Sequence, residues 1–347
     1  MTSDPLKTRR LAFIILAHNE AAVIERAVDS IRQTLSPCDA LYLVADHCSD
    51  DTAIRACNAG AEVFTRGCEP FNGKGAALAW FVDHYRERLL TYAALVILDA
   101  DDRISADFSQ LLRARLSDSE EVIQCFIQPA DYERTPLGTL IALSELLEQS
   151  VHERIRSMLG WPIRLRGTGM AISPGALLQV GDQLQTEVED IALSLLFASR
   201  GIKSTRLDTA IVYDPKPEGS LAASRQRARW FRGQWIALWH YRHDVLRIIA
   251  QGPPGWSLLG ALFGKPRWLI FVIKIILALL CSHWPWLAAL LWAAVSIDLL
   301  TLAIGIGMLK EKRMFLKAIF HFPTFVFMWL RSFFLAAQRS EWLRTRE

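Results

Sequence analysis

The sequence predicts an α/β protein: a mostly parallel sheet flanked by helices, followed by C-terminal transmembrane or interfacial helices. Three observations predict it. Short apolar runs alternate with helical patterns over the first hundred residues, an order that favours parallel strands covered on both faces. Three of those runs end in polar stations, at Asn19-Glu20, at Asp46 and at Asp99-Ala100-Asp101. From 268 to 309 the chain is almost uncharged, interrupted only by Lys274 and Asp298.

Residues 11–17 (LAFIILA) form a buried strand ending at His18-Asn19-Glu20, and a helical pattern follows to about Leu35, where Ser36-Pro37 closes it. Residues 41–46 form a second strand, and Ser49-Asp50-Asp51-Thr52 caps the next helix. Residues 61–65 are a third strand, Gly73 to Leu89 an amphipathic helix, and 94–99 a fourth strand ending in acid. Residues 121–129 are again strand-like, and 137–159 carry an apolar helical side at Leu140, Leu143, Leu146, Leu147 and Val151. The turn Arg166-Gly167-Thr168-Gly169 precedes a short apolar strand. A helix over 189–200 ends at Gly201, and 223–249 reads as a basic, tryptophan-rich helix broken by Gln251-Gly-Pro-Pro-Gly255. The expected division is a catalytic domain over 1–222, interfacial helices over 223–266, and a membrane region over 267–347 with two or three spans.

A spanning helix needs about 20 apolar residues. Trp284–Met308 meets that, Trp268–Cys281 meets it if extended to about Trp284, and Phe315–Ala337 is interrupted by His321, Pro323 and Arg331. That third run is either a span or an interfacial or re-entrant segment. Lys265 and Arg267 before the first run, and Lys310, Lys312 and Arg313 after the second, place both flanks in the cytoplasm. A third span would carry Arg339, Arg344 and Arg346 outside, against that tendency. The expected location is therefore the cell inner membrane, multi-pass, with the catalytic domain in the cytoplasm. A net charge of +3 over 347 residues argues against nucleic acid as a partner. Six cysteines without a CxxC pair, behind a polar N-terminus, suggest reduced thiols.

The chemistry lies in the order of the stations. Asp99 and Asp101 flank one residue after a strand, so both carboxylates can face one site and hold Mg²⁺ or Mn²⁺ against substrate phosphates. Alone, such a pair is more often a solvated acidic turn; the other stations reverse that. Asp46 can accept from a uracil N–H or a ribose hydroxyl, or be an ordinary turn aspartate. Lys74, in Asn72-Gly-Lys-Gly75, opens a helix whose N-terminus favours anions. It is not a Walker A lysine, since Gly75-Ala76 stand where Ser/Thr should follow. Asp190, behind Glu189, can take a proton from an attacking hydroxyl or simply complement a helix dipole. Gln226, Arg229, Trp230 and Gly233 share one helix face; arginine there can neutralise a departing diphosphate and tryptophan can form an acceptor platform. A helix lying on anionic lipid is the alternative.

AHNE (17–20), VADHCSDDT (44–52), NGKGAALAW (72–80), LDADD (98–102), RGTGMAIS (166–173), VEDIALSLLFASRG (188–201) and QRARW (226–230) together resemble a family-2 glycosyltransferase with a GT-A catalytic domain. The likeness covers about residues 10–250, and QRARW matches the Q-x-x-R-W signature of polysaccharide synthases and glycolipid glycosyltransferases. The resemblance implies an inverting hexosyltransferase using a UDP-sugar. Asn19, Glu20, Asp46, Lys74, Asp99, Asp101 and Arg229 would bind the donor, with Asp99 and Asp101 on a divalent cation. Asp190 would be the general base, and Gly167, Thr168, Gly169, Gln226 and Trp230 would bind a lipid-linked or glycan acceptor. The chain departs from the family at Ala17-His18, where many members have proline and an aromatic, and at Val188, where the larger synthases have threonine. No hydrophobic span precedes the catalytic domain, and two or three later spans are fewer than the large polymer-exporting synthases carry. One or a few additions are therefore expected. The alternatives are a processive polysaccharide synthase, a non-catalytic nucleotide-sugar-binding partner of a synthase, or, remotely, a metal-dependent phosphohydrolase.

Overall fold

The computed structural model describes residues 9–71, 73–116, 122–184, 186–216, 219–264, 266–309 and 312–337. Asn72, Lys265, Lys310, Arg339, Arg344 and Arg346 lie outside them. The first part runs β1 (Leu11–Ala17), α1 (Ile24–Arg32), β2 (Ala40–Asp46), α2 (Thr52–Asn58), β3 (Glu62–Arg66), α3 (Gly73–His84), α4 (Arg86–Leu89), β4 (Ala94–Asp99), β5 (Arg103–Ile104) and α5 (Phe108–Arg115). The middle runs β6 (Val122–Ala130), α6 (Pro136–Leu147), α7 (Arg154–Met158), β7 (Met170–Ile172), α8 (Pro174–Leu178), α9 (Glu189–Ser199) and β8 (Ser204–Pro215). The last part is helical: α10 (Ser220–His240), α11 (Arg242–Ala250), α12 (Pro253–Phe263), α13 (Arg267–Leu280), α14 (Pro285–Met308), α15 (Lys312–Ile319) and α16 (Phe322–Ala337).

The chain divides into two compact units. The first comprises Met1–Ala130, Leu159–Pro215 and Gly233–Trp256; the second comprises Asp131–Met158, Lys216–Arg232 and Ser257–Glu347.

The first unit is built on one eight-stranded sheet in the order β3-β2-β1-β4-β7-β6-β8-β5. β3, β2, β1 and β4 are mutually parallel, as expected, whereas β7 runs antiparallel to both β4 and β6 and makes the sheet mixed. Every residue of β1 is buried. Phe13 and Ile15 share a core with Ile24, Val28 and Ile31 of α1. On the other side of the sheet Tyr42 meets Phe81 of α3, and its hydroxyl bonds that of Tyr92 at 2.6 Å. The register pairs Leu16 with Asp99 and Ala17 with Ala45, so Asn19, Asp46 and Asp99 emerge along one edge. That edge is the carboxyl side of parallel strands, where β1 lies between β2 and β4 and ligands of such sheets bind.

The second unit packs Leu137, Leu140 and Ile141 of α6 with Ala223 and Phe231 of α10 and Phe325, Met328 and Trp329 of α16. A Cβ on Gly305 would lie 2.5 Å from Leu147, so glycine lets α14 pass close to α6. Glu148, buried, is ion-paired with Arg156 at 3.3 Å and with Arg267. Lys274 and Asp298 pair at 2.7 Å between α13 and α14, accounting for both charges in the apolar stretch.

Several expected elements differ. The helix of 73–89 breaks at Tyr85 (φ −118°, ψ 23°), and that of 223–249 breaks at Tyr241, whose hydroxyl donates to the Gln183 carbonyl at 2.5 Å. The helix of 137–159 contains a π-helical turn over Glu148–Glu153. The first expected span is corrected: α13 has 14 residues, about 21 Å against the roughly 30 Å of a hydrocarbon core. Among the described residues α14, with 24, is the one helix long and apolar enough to cross a membrane. The third run forms two helices bent by 63°, because Pro323 cannot sit inside a continuous helix. Taken together as one broken span, that pair would bring the total to two.

Candidate active site

The β1 and β2 loops are tied together by side chains rather than by a ladder. Asn19, at φ 57°, accepts from the Ser49 amide at 2.8 Å through Oδ1, and the Glu20 amide donates to Thr52 Oγ at 2.8 Å. Asp51 stands at the N-cap of α2 without a side-chain cap bond, and Asp50, one residue earlier, accepts from the Thr52 amide at 3.0 Å through Oδ1. Asp46 is buried, and its Oδ1 is held by Arg66 at 2.6 Å and by His47 Nδ1 at 2.8 Å. His18 Nδ1 donates to the Asp46 carbonyl at 2.7 Å, and Phe71 meets the His18 ring at a tilt and the His47 ring edge-on. Asp46 is thus a buried carboxylate whose Oδ1 is oriented by two basic side chains. Arg66, which orients it, was not singled out by the sequence, although pairing of β2 with β3 sets the two residues side by side.

At the end of β4, Lys74 Nζ lies 2.5 Å from Asp99 Oδ1. Lys74, at the start of α3, thus reaches across to the acidic cluster. Asp102 is the residue sequence reasoning missed. It is almost fully buried, accepts the Thr168 hydroxyl and the Asp99 amide at Oδ2, and leaves Oδ1 without a partner. Burial pushes its carboxyl well above the usual range, and Asp99, Asp214 and Asp101 add to the shift. The signal was the third acid of DADD, which no spacing rule separates from its neighbours. Thr168 and Gly169 are themselves held by Gln124, whose Nε2 donates to the Thr168 carbonyl at 2.9 Å and whose Oε1 accepts from the Arg166 amide at 3.0 Å. The GTG turn is therefore a prop for the acidic cluster, with Gly167 at φ 83° in the region that favours glycine.

Glu189 and Asp190 open α9. A Cβ on Gly167 would lie 3.4 Å from Glu189 Oε1 and 3.7 Å from Asp190 Cβ, so the turn and the acidic pair adjoin. Glu189 is buried, which raises its carboxyl to about 8; Lys74 opposes the shift, and Asp190 and Asp99 add to it. At neutral pH Glu189 is therefore mostly protonated. Arg164 Nη2 lies 3.5 Å from Asp190 Oδ2. Gln226, Arg229 and Trp230 stand near the middle of α10, in the second unit, with Trp230 partly exposed. Gly233, on the same predicted face, belongs to the first unit, where a Cβ would meet Val188 at 2.3 Å. Its place in the pattern is steric.

A family model for glycosyl transferase family group 2 matches residues 94–331. This chain belongs to that family. No curated protein sequence matches it. Among solved structures it is similar to the mannosyltransferase PcManGT from Pyrobaculum calidifontis in complex with GDP-Man and Mn²⁺, with 18% identity, 88% of this chain and 89% of that chain covered, and TM-score 0.48. It is also similar to glucosyl-3-phosphoglycerate synthase from Mycobacterium tuberculosis in complex with Mn²⁺, UDP and phosphoglyceric acid, with 21% identity, 74% and 80% coverage, and TM-score 0.42. The part of this family-2 glycosyltransferase that the model matches includes Asp99, Asp101, Gly167–Gly169, Asp190 and QRARW, and leaves Asn19, Glu20, Asp46 and Lys74 before its start. The mixed sheet is the GT-A architecture expected from the motifs.

The donor chemistry suits a hard cation: Asp99 and Asp101 supply carboxylate oxygens. Among the described residues no group of three or more His, Cys, Asp or Glu that could hold a metal ion is found. Any such ion would share Asp99 with the Lys74 ammonium.

Proposed function

We propose that this family-2 enzyme is a membrane-bound inverting hexosyltransferase that moves a sugar from a UDP-sugar to a lipid-linked or glycan acceptor, once or a few times. The observation that carries the reading is the Glu189–Asp190 pair beside the Gly167 turn, in the same unit as the Lys74–Asp99 contact. The acceptor hydroxyl attacks the anomeric carbon as the bond to the diphosphate oxygen breaks. Asp190 takes the hydroxyl proton, and UDP leaves with the bonding electrons. The neutral Glu189 supports this assignment, since a protonated carboxyl cannot accept the proton and Asp190 is the other acid beside the turn. Asp46, oriented by Arg66 and His47, would meet the uracil or ribose, with Asn19 and Glu20 shaping the same loop. Lys74 would neutralise diphosphate, and Thr168 would meet the acceptor. Mg²⁺ or Mn²⁺ held by Asp101 and Asp99 would supply charge neutralisation for the leaving diphosphate.

Membrane attachment rests on α14 and on the exposed apolar side chains of α13 and α14, among them Ile273, Leu280, Leu290 and Leu300. Arg267, on the catalytic-domain side of α14, favours a cytoplasmic catalytic domain at the inner membrane. With one helix of spanning length, or two with the bent pair, a few additions fit better than long-chain export.

The test is UDP release by detergent-purified protein offered a panel of UDP-sugars with Mg²⁺ or Mn²⁺, with and without lipid extract. Release with one donor that rises with lipid is expected. Asp190→Asn should lower it by about 10²- to 10⁴-fold with UDP binding retained. Undiminished release in that variant would remove Asp190 as the base, and UDP binding without release under every condition would favour a non-catalytic partner.

A further inference from the structure

Arg227, in the middle of QRARW, has no role in the transfer scheme above, and its surroundings are unusual for a cation. It is 5% exposed, in the second unit. Nη1 donates to the Ala223 carbonyl at 3.3 Å, and Nε has no partner. The guanidinium carbon lies 5.2 Å from the Trp329 ring centre and 5.9 Å from that of Trp230. Among the described residues it makes no ion pair. Glu145, the one acid acting on it through space, is paired with Lys216 at 2.5 Å. Burial lowers the pKa of Arg227 only to about 10, so the group stays charged at neutral pH. Trp329 adds a second unmet donor, since its Nε1 is also buried without a partner. Ala223, Phe231, Phe325 and Met328 complete an apolar wall.

A buried cation without a counter-ion is costly unless an anion arrives. A planar guanidinium and an indole N–H match an oxyanion with several lone pairs. The apolar wall suits an anion carried on a hydrocarbon chain. We propose that Arg227, with Trp329, forms an anion site in the second unit whose ligand is a phosphate monoester. Its use as the acceptor's anchor rests on the transferase reading; the site itself does not.

The experiment is equilibrium binding of dodecyl phosphate to the detergent-purified full chain, with dodecanol, laurate and inorganic phosphate in parallel. Saturable binding of dodecyl phosphate is expected, with none of dodecanol and weaker binding of laurate. Arg227→Met should weaken it about tenfold or more, Arg227→Lys less, and Trp329→Phe a few-fold. Displacement by inorganic phosphate at matched concentration would assign a soluble phosphate ligand; no displacement would assign a lipid. Arg227→Met binding as tightly as wild type, or laurate binding as well as dodecyl phosphate, would overturn the proposal. Thermal unfolding without ligand gives a second readout. Removing an uncompensated charge should leave Arg227→Met at least as stable as wild type. A clear loss of stability that Arg227→Lys restores would make Arg227 a structural brace and end the proposal. UDP release enters neither readout, so failure here and failure of the transferase reading are told apart.

Discussion

At the residue scale, the site is held by close packing around glycine and carries one buried carboxyl. Gly75 shows the first. A Cβ there would lie 2.5 Å from the Leu184 carbonyl oxygen and 2.6 Å from that of Thr186. Both are backbone atoms, so relief requires α3 to move. Gly75→Ala should cost about 1–3 kcal/mol in thermal unfolding and weaken donor binding by displacing Lys74. Glu189 shows the second. Its folded pKa of about 8 lies above its ordinary value of 4.5, so the folded state holds a proton there that the unfolded state releases. Its contribution to stability is complete below about 4.5 and is lost as pH rises through about 8. Denaturant unfolding at a series of pH values should show that decline in wild type and a flatter profile in Glu189→Gln. An unchanged slope in the variant would remove Glu189 as its source. The sequence offered Glu189 only as the acid in front of Asp190, because burial is not written in a dipeptide.

At the element scale, the two interrupted helices mark where tertiary contacts overrule local pattern. The stretch 223–249 is helical throughout by propensity, yet Tyr241 stops α10 by bonding the Gln183 carbonyl. α10 is also constrained at Gly233, where Val188 leaves no room for a Cβ. Gly233→Ala should destabilise the protein by about 1–3 kcal/mol and depress transfer, because Val188 immediately precedes Glu189 and Asp190 in the chain. Adding Val188→Ala should recover much of both. A double variant no better than Gly233→Ala alone would show that the contact is not the cause. The strands were read more easily: the burial of 11–17, 41–46 and 94–99 is explicit in their unbroken apolar runs. The antiparallel β7 was not legible, since three apolar residues carry no direction.

At the scale of the whole molecule, the apolar C-terminal part joins a family-2 glycosyltransferase sheet to helices with exposed apolar faces. The lone charges of that part, Lys274 and Asp298, answer each other at 2.7 Å. Removing one leaves the other unpaired among aliphatic neighbours. Asp298→Ala should cost about 2–3 kcal/mol in detergent, whereas Lys274→Met with Asp298→Leu should be near neutral. Equal losses in single and double variants would mean the pair is not a unit. Composition alone marked the apolar stretch, but not that its first run would form only 14 helical residues.

The sequence by itself determined the family, the parallel strands and the edge at which Asn19, Asp46 and Asp99 gather. Those follow from local pattern: an apolar run forms a strand, and the residue after it lies at the strand's end. Tertiary packing was needed to show that Arg66 and His47 hold Asp46, that Lys74 meets Asp99, that Asp102 and Glu189 are buried, and that Arg227 makes no ion pair among the described residues. Each depends on residues distant in sequence removing water from a charge, and desolvation is a property of the packed chain, not of any segment of it.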